Sequence, residues 1–286
     1  MLVIIYILII LSAATQSAST KMFTKCGSDS TIFNALKALT SVVLLSIIAA
    51  FNFNFHLPTL LYGLGYGASL SLSMFAGYQA LRLGPMALSS MLVSFSVILP
   101  LIWGITVCGE TLTVFQYPAL GLLFLAIFLT NANRLKPSKE KESFNYGLWI
   151  TFVAITFLCN GVSSILQKQY QTEYPDGYTG MFMLFSMLLC AVIFSALMLK
   201  KLSFSEIIRA KGKRYALISG TTNGLYSLLT LILAGMENAS VLFPIISAGT
   251  ILASLFCGRF IFKEKLRLNH YAAIATGIAA VVLMKL

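Results

Sequence analysis

Ten apolar runs, each close to 20 residues long, follow one another along this 286-residue chain with little between them. They cover approximately 2–20, 31–51, 58–81, 86–108, 112–133, 146–166, 178–199, 214–235, 239–262 and 268–286. A helix of about 20 apolar residues crosses the ~30 Å hydrocarbon layer of a bilayer, and within lipid its backbone must satisfy its own hydrogen bonds. The expected fold class is therefore an all-α polytopic membrane protein with ten transmembrane helices. Composition agrees. Hydrophobic residues make up 58% of the chain and charged residues only 10%, against roughly 25% charged in soluble domains. The loops leave no room for a soluble domain, and the longest polar segments are Arg134–Asn145 and Lys200–Arg214. The first run lacks the positive n-region of a cleaved signal peptide. Lys21 and Lys25 follow it instead, so a retained first helix is expected.

The formal net charge of +11 would suit an acidic partner, but its placement argues against nucleic acid. Sixteen of the 20 Lys and Arg fall in alternate loops on one side of the predicted membrane, and Lys37 and Arg259 lie within reach of that side. Only Lys168 and Lys285 fall opposite. Such a bias orients a polytopic protein with its basic loops in the cytoplasm. It places both termini outside a cell membrane and loops 134–145 and 200–214 inside. The five cysteines show no CxxC pair and no metal-ligand spacing, and four of them sit in apolar runs, where Cys behaves as a small hydrophobe. No metal and no other cofactor is expected.

The chain also repeats itself. At a fixed offset of 154 residues, Ala80 pairs with Ala234, Gly104 with Gly258, Glu110 with Glu264, Leu112 with Leu266 and Tyr117 with Tyr271. The series continues through Ala119 with Ala273, Ala126 with Ala280 and Leu129 with Leu283. Duplication inside an apolar chain is the mark of carriers built from two structural repeats. Five helices per copy is an odd number, so the two copies must be inverted in the membrane. The expected organisation is a first five-helix repeat at 1–133, a cytoplasmic linker at 134–145 and an inverted second repeat at 146–286. Small residues mark tight helix packing: Gly63-x3-Gly67 in the third run, Gly220-x3-Gly224 in the eighth, and Ala273-x3-Gly277 and Ala275-x3-Ala279 in the tenth.

The fourth run, the turn Gly109-Glu110-Thr111-Leu112 and the fifth run resemble the EamA-type transporters of the drug/metabolite transporter superfamily. The ninth run, Lys263-Glu264-Lys265-Leu266 and the tenth run look like the second copy. The resemblance spans the whole chain. It implies a ten-helix carrier of small metabolites or drugs working by alternating access. Members of that family are usually described with both termini in the cytoplasm, opposite to the orientation that the charge bias favours here.

In such a carrier a substrate cavity lies near the bilayer midplane at the repeat interface. Polar side chains within the runs are its candidates: Gln16, Ser17, Tyr66, Tyr78, Ser90, Ser94, Asn160, Ser164, Asn223, Tyr226, Ser247 and Thr250. Each single Ser or Thr can equally bond its own helix or a neighbour's, whereas the amides of Gln16, Asn160 and Asn223 are harder to satisfy locally. Pro100 and Pro244 each remove a backbone donor within the fourth and ninth runs, freeing the carbonyls of Ser96 and Ser240. They are candidate kinks or gates. Lys37 lies in the second run, where it can snorkel to the interface, hold an anion or act as a gate. Glu110 and Glu264 are expected to cap the helices that follow them, with a gate latch as the other reading. Trp149 is expected to be an interfacial anchor.

None of the nine carboxylates falls at the middle of a run. Proton-coupled and cation carriers commonly keep one there, so the expected substrate is a neutral, zwitterionic or anionic small organic molecule. The chain also lacks GxSxG, HExxH and paired intramembrane carboxylates, which argues against an integral membrane enzyme. A lipid-intermediate flippase or an accessory membrane subunit remains the alternative to a secondary transporter. The expected partners are the bilayer and a small-molecule substrate, with both halves in one chain pointing to a functional monomer.

Overall fold

A computed structural model describes residues 2–27, 29–51, 55–84, 86–132, 145–175, 177–263 and 267–286. The expected linker at 134–145 falls almost wholly outside the described residues, as does Glu264. The described residues are helical, with no strand among them. In chain order the helices are α1 (Leu2–Lys25), α2 (Ser30–Ala50), α3 (Leu57–Leu83), α4 (Met86–Ser94), α5 (Ile98–Thr106) and α6 (Gln116–Ala132). They continue as α7 (Tyr146–Glu173), α8 (Thr179–Lys201), α9 (Phe204–Arg209), α10 (Lys213–Met236), α11 (Ala239–Phe260) and α12 (Leu268–Met284).

Seven segments are long and apolar enough to cross a membrane: α1, α2, the stretch Leu88–Thr106, α7, α8, α10 and α11. α6 and α12 are apolar but only 17 residues long. α3 has the length, at 27 residues, but Gly63, Gly65, Gly67, Gly77, Ser69, Ser71 and Ser73 dilute its apolar character. Large apolar side chains stay exposed along the long helices, among them Val43, Ile47, Leu61 and Val192, as a bilayer-embedded surface requires.

The helices gather into two compact units that do not follow the halves of the sequence. One comprises Met1–Ser71 with Leu166–Met236, the other Leu72–Ile165 with Glu237–Leu286.

In the first unit, glycines let backbones meet. A Cβ on Gly63 would come within 2.9 Å of Phe182 O, and one on Gly67 within 2.6 Å of Ser186 O, so α3 and α8 run parallel at van der Waals contact. α10 lies on α2 in the same manner: Gly220 faces Lys37 and Thr40, and Gly224 faces Ser41 and Leu44. The Ser41 hydroxyl donates to Gly220 O at 2.7 Å. α2 and α8 are antiparallel, since Gly180 at the start of α8 meets Ala49 near the end of α2. At the other end Lys201 pairs with Asp29 at 2.6 Å. Two parallel glycine-packed pairs thus point in opposite directions. Their shared core holds Leu45, Tyr66, Tyr170, Phe182, Met183, Met187, Leu228 and Leu231. Asp29 also caps α2, accepting from the Thr31 N–H at 2.8 Å. Partial burial opposes ionisation of Asp29, but its bonds from Lys201 and Thr31 prevail and hold the carboxyl below its ordinary value.

In the second unit α6 packs along α12. The buried face of α12 is Ala273, Gly277, Ala280 and Met284. Ala273-x3-Gly277 is therefore a packing face as expected, while Ala275 is exposed, because a rotation of 100° per residue carries it away from that stripe. Trp149 is no interfacial anchor. It is 3% exposed among Ala80, Val153, Leu83 and Leu88, and its indole N–H donates to Ser89 Oγ at 2.9 Å. Gly84 provides the space for that ring.

The ends of α5 and α11 finish alike. Val107 and Cys108 both donate to Trp103 O, at 2.9 and 3.3 Å, and Ile261 and Phe262 both donate to Cys257 O, at 3.0 and 3.2 Å. A left-handed residue follows each: Gly109 at φ +67° and Lys263 at φ 54°. All of these positions are related by the 154-residue offset.

Candidate functional site

Four elements of the first unit bring polar side chains together below its glycine seams. Because Gly220 lies on the Lys37 backbone, the next turns of α2 and α10 are held side by side, and Asn223 reaches across. Its amide donates to Ser41 Oγ at 3.4 Å and contacts Met187 Sδ at 3.6 Å. Tyr66, 6% exposed on α3, pairs with Ser227 of α10 and lies beside Tyr226 and Cys190. Cys190 of α8 accepts from Ser71 Oγ at 3.2 Å and lies close enough to Lys37 for the two to interact electrostatically.

Lys37, Tyr66, Asn223 and Tyr226, all expected from sequence as site residues, thus lie in this one cluster. Ser41, Cys190 and Ser227 join them. Only the spacing of Ser41 one turn after Lys37, on a helix facing Gly220-x3-Gly224, could have signalled the first of these. Gln16 is nearby on α1, which packs along α10, and its amide donates to Thr222 O at 3.5 Å. Ser17 is exposed.

The remaining expected cavity residues belong to the second unit. Asn160 accepts a hydrogen bond from Ser73 at 2.6 Å. Three hydroxyls turn back onto their own helices: Ser94 donates to Ser90 O at 2.8 Å, Ser164 to Asn160 O at 3.3 Å and Thr250 to Ser247 O at 2.9 Å. Tyr78 is exposed on the same face of α3 as Phe75 and Leu81, one turn away on either side, so it belongs to an outward apolar stripe. A shallow depression beside Pro244 is lined by Leu123, Ile245, Ala248, Ala280, Val281 and Met284. No polar side chain lines it, so it offers a polar solute nothing to bond.

The two prolines differ. Pro100 follows a 3-10 turn at Phe95–Val97 that divides the fourth run into α4 and α5. Pro244 lies inside α11, which continues unbroken around it. At α11 the carboxylate of Glu110 accepts the backbone N–H groups of Ala239 and Ser240, at 2.7 and 2.8 Å. The N-cap residue Asn238 contributes no side-chain bond of its own. Glu110 therefore caps a helix 129 positions away in sequence, not the following α6 as expected. Gly104 leaves room for the carboxylate against α5, and the Glu110 N–H is tied to Gly104 O at 3.0 Å. An anion at a helix N-terminus meets unsatisfied donors and the positive end of the macrodipole.

No cluster of three or more His, Cys, Asp or Glu suited to a metal ion occurs among the described residues. No family model matches the chain, and no curated protein matches it. A solved structure described only as a crystal structure of a protein is similar over 98% of this chain and 96% of its own length. The TM-score is 0.76 at 13% identity. At that identity the likeness concerns the fold alone.

Proposed function

We propose that the chain is a secondary transporter of small organic solutes, built from two inverted five-helix repeats and working by alternating access. The observation that carries this reading is the pair of matching helix ends. The same two hydrogen bonds and the same left-handed residue recur after α5 and α11, at the offset along which the sequence also repeats. Opposed parallel pairs, α3 on α8 and α2 on α10, favour inversion, because a two-fold axis in the membrane plane exchanges one pair for the other. On this reading α4 with the 3-10 turn and α5 forms one span, and α3, α6 and α12 complete ten.

The polar cluster around Lys37, Asn223 and Tyr226 is where we place solute contact. Glu110 serves as a releasable latch: its two charge-assisted bonds hold the start of α11 to the end of α5 in this state, and their exchange for water frees the two elements to separate. The basic loops face the cytoplasm in this account.

Purified protein reconstituted in liposomes tests the proposal. Solute counterflow, with labelled solute accumulating against an unlabelled load of the same compound, is expected for at least one class of small metabolite. Translocation of a labelled lipid without solute counterflow would instead make the chain a flippase, and inertness in both assays would make it a subunit of a larger assembly.

A further inference from the structure

We propose that one end of the first unit is a docking surface for the headgroups of anionic phospholipids. Lys25, Lys200, Arg209, Lys211 and Arg214 carry it, around the short helix α9. The proposal requires only that α8 and α10 cross a bilayer, and it holds whatever solute is moved.

Two contacts gather the ends of four helices here. Lys201 at the end of α8 pairs with Asp29, the N-cap of α2, at 2.6 Å. Gly212, at φ +79° just before α10, sits against the end of α1, where a Cβ would come within 2.9 Å of Cys26 Sγ. Nearby, Phe23, Phe33 and Ala216 form a small buried core with Tyr215 packed against it. The segment joining α8 to α10 is thus seated on protein, and it is folded. Ser203 and Glu206 make the capping box that starts α9. At its other end the Lys213 ammonium donates to Ile208 O at 2.6 Å.

Charge at this end is one-sided. Lys200–Arg214 holds six basic residues and one acidic residue. That acid, Glu206, accepts from the Ser203 N–H at 2.7 Å, and Asp29 is engaged by Lys201 and Thr31. Lys25, Lys200, Arg209, Lys211 and Arg214 are all exposed. Next to Arg209, Ile208 is 58% exposed.

Position and chemistry together name the partner. α8 and α10 are each long and apolar enough to cross a membrane, and only eleven residues separate them. The cations between them are therefore held at the headgroup layer. Basic segments beside a span attract anionic lipid, with roughly a five-fold preference for each cation close to the surface. An apolar side chain on a basic interfacial helix dips into the boundary between headgroups and acyl chains. Lipid thus accommodates Ile208 as well as the cations, whereas a soluble polyanion would leave Ile208 in water.

The test titrates phosphatidylglycerol into the full-length protein in detergent at fixed ionic strength and follows the thermal unfolding midpoint. Phosphatidylcholine is the zwitterionic comparison, and glycerol 3-phosphate, inorganic phosphate and heparin are the soluble anions. At 100-fold excess over its dissociation constant, phosphatidylglycerol should raise the wild-type midpoint by roughly 5–10 °C. The K200Q/R209Q/K211Q variant should need at least about tenfold more of that lipid for the same shift. The charge-conserving K200R/R209K/K211R should respond as wild type does, and I208S should respond more weakly than wild type. K136Q/K139Q/K141Q removes equal charge from the linker and should keep the wild-type response.

Equal shifts with phosphatidylglycerol and phosphatidylcholine would overturn the proposal, as would a soluble anion that matches the lipid. An equal loss in the two glutamine variants would show a general effect of charge and no docking surface here. A loss in K200R/R209K/K211R as large as in K200Q/R209Q/K211Q would trace the response to packing, and equally end the proposal.

Discussion

Glu110 and Lys37 illustrate two treatments of charge in an apolar chain. The Glu110 carboxylate accepts two backbone N–H groups of α11, whereas no hydrogen bond or ion pair of the Lys37 ammonium is found among the described residues. Removing a capping side chain typically costs about 0.5–2 kcal/mol. Glu110→Ala should therefore lower the thermal midpoint by a few degrees, at roughly 2–4 °C per kcal/mol for a chain of this size. Glu110→Gln keeps one acceptor and loses the charge, so it should recover about half of that loss. If the latch reading holds, both variants should also change the rate of solute exchange in liposomes. A lowered midpoint with an unaltered exchange rate would leave Glu110 a helix cap and nothing more. The partner of Glu110 could not be read from sequence, because 129 positions separate it from Ala239 and no local pattern marks the contact. The same is true of Trp149. An aromatic after a polar linker resembles an interfacial anchor, and only the groove left by Gly84 and Ala80 draws it inward.

At the scale of elements, length and hydropathy were enough to mark the ten runs, and the helices begin and end within a few residues of them for the most part. What remained hidden was local or long-range. The short helix α9 is nucleated by a capping box in which Ser203 and Glu206 bond each other's backbone, inside a segment that composition marks only as polar loop. The break between α4 and α5 lies a turn before Pro100, while Pro244 produces none, so a proline in an apolar run does not by itself locate an interruption. The GxxxG motifs were legible as packing devices, but their partners were not. The structure places Gly67 on Ser186 and Gly220 on Lys37. Gly67→Val should accordingly disrupt folding or produce an aggregating protein in size-exclusion chromatography, since its Cβ would press on backbone. Gly121→Ala, where nothing lies within 4 Å, should be tolerated or stabilising by up to about 1 kcal/mol. Equal behaviour of the two variants would show that the α3–α8 seam is not tight.

Across the whole molecule, the interleaving of the compact units is the property least visible in a linear reading. The expected repeats meet near residue 134, yet each compact unit takes helices from both sides of that position. A duplicated chain whose copies had each folded separately would not be partitioned in this way. Interleaving also explains why the expected cavity residues separated. Tyr66, Asn223 and Tyr226 share a unit with Lys37 despite lying far apart in sequence, while Tyr78, twelve residues after Tyr66, faces outward from the other.

The central claim is that an internal polar space opens alternately to the two sides of the membrane. It is tested most directly by placing a single cysteine at Tyr226 in a protein whose five native cysteines have been replaced. A membrane-impermeant maleimide is then applied to right-side-out and to inside-out vesicles. The account predicts labelling from both sides, with a transported solute shifting the balance between them. Reactivity confined to one side under all conditions, or absent from both, would contradict it.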